Sequence, residues 1–131
     1  MKCDFKTLYK TDLHCHIDGY VRLDTIHELV NKQKIIPVNP MTQTPYWTRE
    51  MLDNGQVTKE FLAKIVHART DYKDLVEYLR AFDVTGSVMQ TPENLRRVVL
   101  ECIEDAAADN VKHLELRYAP AFQTNGGMTQ E

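Results

Sequence analysis

Hydrophobic and polar residues alternate near the start of the chain. In residues 9–17, Leu13, Cys15 and Ile17 alternate with polar side chains, two of which are histidines. A period of two is typical of a strand with its apolar side chains on one face. We therefore expect a short buried strand, with the two histidines sharing the opposite face.

The apolar spacing then changes to that of amphipathic helices, with hydrophobic residues three and four positions apart. The predicted helices are residues 23–34, 58–68, 72–82 and 92–109. Thr91 is a suitable N-cap for the last of these, and Pro92 then falls at its first position. Residues 35–57 contain several prolines and an Asn-Gly pair, which predict irregular structure. A second strand is expected at residues 112–119.

The order of these elements predicts the fold class. Two strands joined by a helical crossover, residues 22–110, usually lie parallel in one sheet. The chain is therefore expected to be α/β. Its 131 residues fit one domain, residues 1–131.

Composition and charge limit the kinds of partner. The formal net charge is −3, so the chain lacks the basic surface expected for binding nucleic acid or anionic membranes. The chain has no apolar run long enough to span a bilayer and no signal-peptide pattern. The three cysteines, Cys3, Cys15 and Cys102, match no disulfide framework. A reducing, cytoplasmic location is expected.

The histidine pair carries the clearest chemical signal. His14 and His16 are two positions apart, so their side chains converge on one face of the strand, and imidazole is a common ligand for Zn²⁺. Asp18 and Gly19 follow at the end of the strand, where α/β proteins place their active sites. The pattern predicts a metal half-site, although a His-x-His pair on a surface strand also occurs by chance. Cys15 faces the other way and is expected to pack in the core.

Four segments of the sequence resemble those of a known family. Residues 11–19, TDLHCHIDG, resemble the opening motif of the adenosine deaminase family, which belongs to the metal-dependent (β/α)₈ amidohydrolases. Residues 74–83, DLVEYLRAFD, are similar to the segment that walls the substrate pocket in this family. Residues 91–97, TPENLRR, and residues 104–120, EDAAADNVKHLELRYAP, resemble its next helix and its second strand. The resemblance covers nearly the whole chain and is weakest over residues 35–73.

The resemblance implies zinc-assisted hydrolytic deamination of adenosine or deoxyadenosine to inosine or deoxyinosine, a step of purine metabolism. His14 and His16 would be the first two Zn²⁺ ligands. The implied substrate-binding residues, from the ribose contact to the apolar wall, are Asp18, Gly19, Leu75, Tyr78 and Phe82. The spacing of the last three alone favours an ordinary helix core. Tyr20 departs from the family pattern, in which this residue is often small.

The family's remaining active-site residues have no counterpart in this sequence. Its third histidine ligand, its catalytic glutamate with a nearby histidine, and its late aspartate ligand all lie beyond the second strand. A (β/α)₈ TIM barrel needs about 250 residues, so the chain is expected to form the incomplete N-terminal part of one. We expect no catalytic residue of the family in this chain and little activity in isolation. A complementing C-terminal chain, or self-association, would be its macromolecular partner.

Three other functions remain open on the sequence alone. The opening motif is shared with deaminases of AMP or adenine. A similar Asp-Leu-His-x-His run opens metal-dependent phosphoesterases of the PHP type, although the residues Ile-Asp-Gly and Leu-Arg-Tyr-Ala-Pro favour a deaminase. The chain could also be a non-catalytic remnant of a deaminase.

Overall fold

Polar capping residues set where most of the helices begin. In a computed structural model, which describes residues 4–130, four N-cap side chains accept a hydrogen bond from the backbone N–H three residues later: Thr48, Thr58, Asp74 and Thr91. The Asp74 cap explains why one helix begins three residues later than its predicted start at residue 72. Thr91 and Pro92 occupy the N-cap and the first helical position, as predicted.

The elements follow the strand–helix–strand order that the hydrophobic pattern predicts. They are β1 (Lys10–His16), α1 (Leu23–Gln33), α2 (Arg49–Asp53), α3 (Lys59–Val66), α4 (Leu75–Ser87), α5 (Pro92–Ala108) and β2 (Val111–Arg117). Short 3-10 turns lie at Phe5–Thr7, Ile17–Gly19 and Pro120–Gln123. No helix among residues 4–130 has the length and apolarity needed to cross a membrane.

The two strands pair in parallel, as expected for a helical crossover. Their register contains an irregularity next to the histidines. Asp12 pairs with Leu114 and Cys15 pairs with Leu116, so β1 advances by three residues while β2 advances by two. The extra residue in β1 is a bulge, a feature often found beside active sites because it redirects a side chain. The alternating sequence pattern gave no sign of it.

The prediction of a buried strand was wrong for most of β1. Cys15 is 2% exposed and is the one buried residue of this strand, whereas Leu13 is 57% exposed. The described residues form a sheet of two strands, which leaves much of both strands uncovered. Cys15 is buried because α5 packs against it, with Cys102 as its neighbour.

The hydrophobic core lies among the helices instead. It joins the faces of α1, α3, α4 and α5, and its buried members include Ile26, Leu62, Val84 and Val98. Residues 35–57, predicted to be irregular, contain the short helix α2 and also bury Trp47, whose indole N–H donates to the carbonyl of Ile35 at 2.9 Å. This segment is therefore an integral part of the core.

Candidate metal and substrate site

The two histidines converge at the carboxyl end of β1. Their Nε2 atoms are 2.8 Å apart and their ring centroids 4.8 Å apart. Both side chains are exposed, and Cys15 between them is buried on the opposite side. At this separation the two ring nitrogens are within hydrogen-bonding distance, with donor and acceptor set by the tautomers. The predicted convergence of the two side chains on one face of β1 is therefore present.

Two side chains form hydrogen bonds with backbone groups around the bulge that precedes His16. Asp12 Oδ1 accepts a hydrogen bond from the backbone N–H of His14 at 3.1 Å. Arg117, at the end of β2, donates to the carbonyl of Leu13 at 3.1 Å. These contacts fix the irregular part of β1, and hence the direction in which the first histidine points.

The thiol beneath the pair is a packing residue. Cys15 Sγ lies 3.9 Å from Cys102 Sγ, and burial, followed by the neighbouring Cys102, raises the pKa of the Cys15 thiol to about 12. A thiol that stays protonated is a poor metal ligand. Within residues 4–130, no group of three His, Cys, Asp or Glu side chains is placed to hold a metal ion.

The histidine pair opens onto a cavity of about 1120 Å³. Its walls come from the end of β1, the turn Ile17–Gly19, α4, the segment after β2 and residues 37–40. Four of the five residues that the family resemblance implies for substrate binding line it: Asp18, Gly19, Tyr78 and Phe82. The structure therefore brings these four together with both histidines.

The fifth implied substrate residue lies elsewhere. Leu75 is in the first turn of α4, is 67% exposed, and does not line the cavity. The apolar face of α4 that contains Leu75, Tyr78 and Phe82 is longer than the part of the helix that lines the cavity. Leu79, on the same stripe, does line it and was not among the implied residues. Its spacing of four from Leu75 was the available signal.

Aromatic rings form the wall on the α4 side. Tyr78 packs edge-on against Phe82, with centroids 5.8 Å apart, and against Tyr72 at 5.4 Å. A Cβ at position 19 would meet the Phe82 ring at 3.9 Å, so the turn at Gly19 runs close to this wall. Tyr20 also lines the cavity, and burial raises the pKa of its phenol.

The cavity has a negative charge balance. Asp12, Asp18 and Asp83 line it, and the described lining residues include no lysine or arginine. Asp83 accepts a hydrogen bond of 2.6 Å from the Tyr46 hydroxyl. Burial, and then this carboxylate, raise the pKa of Tyr46. The bond also fastens the segment before α2 to the cavity wall.

Fold and site together define an α/β protein with a candidate metal centre at the carboxyl end of its first parallel strand. The sequence profile of the adenosine deaminase family matches residues 9–131. The chain belongs to the adenosine deaminase family.

Individual relatives agree with this assignment. The chain is 39% identical to an adenosine deaminase of Clostridium botulinum (strain Hall) over 128 residues, covering 98% of this chain and 33% of the relative. It is 38% identical to an adenosine deaminase of Vibrio atlanticus over 126 residues, covering 96% of this chain and 32% of the relative. The chain thus spans about a third of the length of the curated relatives it matches.

A solved structure supports the fold. Arabidopsis ADAL complexed with IMP superimposes with a TM-score of 0.57 at 22% identity, over 96% of this chain and 31% of the other. The predicted α/β class, and the expectation that the chain corresponds to part of a larger deaminase fold, are confirmed.

Proposed function

We propose that this chain contributes the first part of the active site of a zinc-dependent adenosine deaminase. In the reaction, water replaces the amino group of adenosine or deoxyadenosine, which gives ammonia and inosine or deoxyinosine. The observation that carries the proposal is the convergence of His14 and His16, Nε2 to Nε2 2.8 Å, on the cavity that also contains Asp18. Residues 1–131 would then be a partial adenosine deaminase-like domain.

The histidine pair fits a zinc ion. Two nitrogens that each lie about 2.0–2.1 Å from a tetrahedral ion are about 3.3–3.4 Å apart. The two rings, whose nitrogens are now 2.8 Å apart, would hold the ion after separating by about 0.5 Å. His14 and His16 would hold the ion, and the bulge contacts of Asp12 and Arg117 would orient the first of them. When bound, the ion supplies the Lewis acidity that makes water a nucleophile near neutral pH.

The other cavity residues suit a purine nucleoside. Tyr78 and Phe82 offer apolar ring surfaces against which a flat base can pack. Asp18 Oδ1 is buried and has no hydrogen-bond partner among the described residues, so it can accept a bond from a ribose hydroxyl. Gly19 lines the same cavity beside the Phe82 ring.

The charge of the cavity favours a nucleoside over a nucleotide. A 5′-phosphate would enter a cavity lined by Asp12, Asp18 and Asp83, where the described lining has no lysine or arginine and the proposed metal ion alone would offset the carboxylates. The structural neighbour carries IMP, a nucleotide, which makes AMP deamination the second candidate. The same absence of cations disfavours hydrolysis of phosphate esters.

The chain supplies some of the groups that the proposed reaction needs. In the proposed reaction the described residues hold the metal and the nucleoside, while the general acid/base and the remaining metal ligands come from outside them. We therefore propose little turnover by the chain alone, and a complementing C-terminal segment or a second copy as its partner. A reducing cytoplasmic location is consistent with Cys15 and Cys102, which are adjacent but unbridged.

Calorimetric titration of the purified chain tests the proposal. Adenosine should bind when Zn²⁺ is present and bind more weakly after chelation, because the metal and the nucleoside share one cavity. The phosphomonoester p-nitrophenyl phosphate should be neither bound nor hydrolysed. Hydrolysis of this ester, or adenosine binding that is absent with and without zinc, would contradict the proposal.

A further inference from the structure

Several buried oxygen atoms in the described residues have no hydrogen-bond partner. They are Asp18 Oδ1, Thr85 Oγ1, Gln90 Oε1 and Gln123 Oε1. Asp18, Gln90 and Gln123 line the large cavity that also contains the histidine pair. Buried acceptors are normally paired, so these three oxygens are free to accept hydrogen bonds from a ligand that enters the cavity.

The orientation of the Gln90 amide is well determined. Its Nε2 donates to the carbonyl of Gly86 and to that of Phe122, each at 2.8 Å. Both amide hydrogens are therefore in use, and exchanging the nitrogen and oxygen would place the single amide oxygen against two carbonyl oxygens. Gly126 also lies directly against this residue, because any Cβ at position 126 would collide with the backbone oxygen of Gln90. The segment after β2 is thus fixed to the end of α4.

A second side-chain amide, that of Gln123, lines the same cavity. It ends the 3-10 turn Pro120–Gln123 and directly follows Phe122, the residue that Gln90 holds. Gln123 is 5% exposed, yet its Oε1 has no partner among the described residues. A buried amide oxygen without a hydrogen-bond partner destabilises the ligand-free protein.

The chemistry of these groups limits the ligand. Gln90 Oε1 and the Asp18 carboxylate are acceptors, so a ligand that pairs with them must present hydrogen-bond donors. The carboxylates of Asp12 and Asp83 on the same cavity disfavour an anion. A neutral polyhydroxyl group meets both conditions.

We propose that Gln90 and Gln123 form an acceptor subsite that binds hydroxyl groups of the ribose; this rests on the proposed function, in which the ligand is a nucleoside. Gln123 is the better residue to test, because the Gln90 amide also holds the loop. Gln123→Met keeps the approximate shape of the side chain and removes its amide. Gln33→Met is the matched control, since Gln33 exchanges two hydrogen bonds with Asn94, at 3.1 and 2.9 Å, and does not line the cavity.

The binding experiment uses the zinc-loaded chain with adenosine and its 2′-, 3′- and 5′-deoxy forms. Q123M should weaken adenosine binding by about two- to tenfold, the range expected for one hydrogen bond. For the analogue that lacks the recognised hydroxyl, wild type and Q123M should bind equally. Q33M should leave all four affinities unchanged.

Thermal unfolding of the ligand-free chain is the second measurement. Q123M should melt at the same temperature as wild type or higher, because it removes an unpaired buried acceptor, whereas Q33M should melt lower. Unchanged adenosine affinity in Q123M, an equal loss for all four nucleosides, or a melting temperature lowered as in Q33M would overturn this inference alone. Failure of the wild-type chain to bind any of the nucleosides would overturn the proposed function as well.

Discussion

Replacing His16 with alanine removes one of two imidazole nitrogens that lie 2.8 Å apart at the end of β1. Both are attached to the same strand, so once an ion is held by one nitrogen the second binds it intramolecularly. Joining two binding groups in this way typically raises affinity by about 10²–10⁴. We therefore expect H16A to weaken Zn²⁺ binding by about 100-fold or more, equivalent to at least about 2.7 kcal/mol.

Competition with a zinc-binding dye measures this difference directly. His113→Ala is the matched control, because His113 is an exposed imidazole on β2 that contacts Glu115 at 3.4 Å and does not line the cavity. H113A should bind zinc as the wild type does. Equal zinc affinity for the wild type, H16A and H113A would show that the histidine pair does not form a shared site.

Three further predictions concern the framework around the site. Leu62→Ala should lower the free energy of unfolding by about 2–5 kcal/mol in chemical denaturation, because Leu62 is fully buried; a loss below 1 kcal/mol would contradict the packing. Gly126→Ala should lower the melting temperature, since its Cβ collides with the backbone of Gln90, and an unchanged temperature would contradict that contact. Burial and Asp83 raise the pKa of Tyr46 above its usual 10.0, so the unfolded phenol loses its proton first and stability should fall as pH rises above about 10. Tyr46→Phe should flatten this alkaline decline in pH-dependent denaturation, and an identical decline in both proteins would refute the assignment.

The elements of the fold could be predicted from the sequence because their signals are local. The cap at Thr91 and the apolar stripes of the helices act within a few residues. The cap at Asp74 is equally local, but the predicted helix started at residue 72, before it. The bulge between Asp12 and Cys15 could not be predicted, because it depends on the register between β1 and β2. The exposure of Leu13 likewise depends on what covers the strand, and a period-two pattern does not specify that.

Part of the candidate site could also be predicted from the sequence, because the signal for that part is local. His14, His16 and Asp18 lie within five residues, so a short motif contains their relationship. Gln90 and Gln123 come together through the contact between α4 and the segment after β2, and neither residue belongs to a local pattern. The resemblance to the family placed Leu75 in the pocket wall, but helix position alone cannot show where the wall ends.

We propose that this chain supplies the first metal ligands and part of the nucleoside pocket of an adenosine deaminase. The most direct test is a chimera in which residues 9–131 replace the matching third of the Clostridium botulinum relative, assayed for conversion of adenosine to inosine. With folding verified by circular dichroism, the chimera should be active with zinc, and H16A should abolish turnover while H113A preserves it. A folded, zinc-loaded chimera without activity, or an H16A form as active as its parent, would contradict the account.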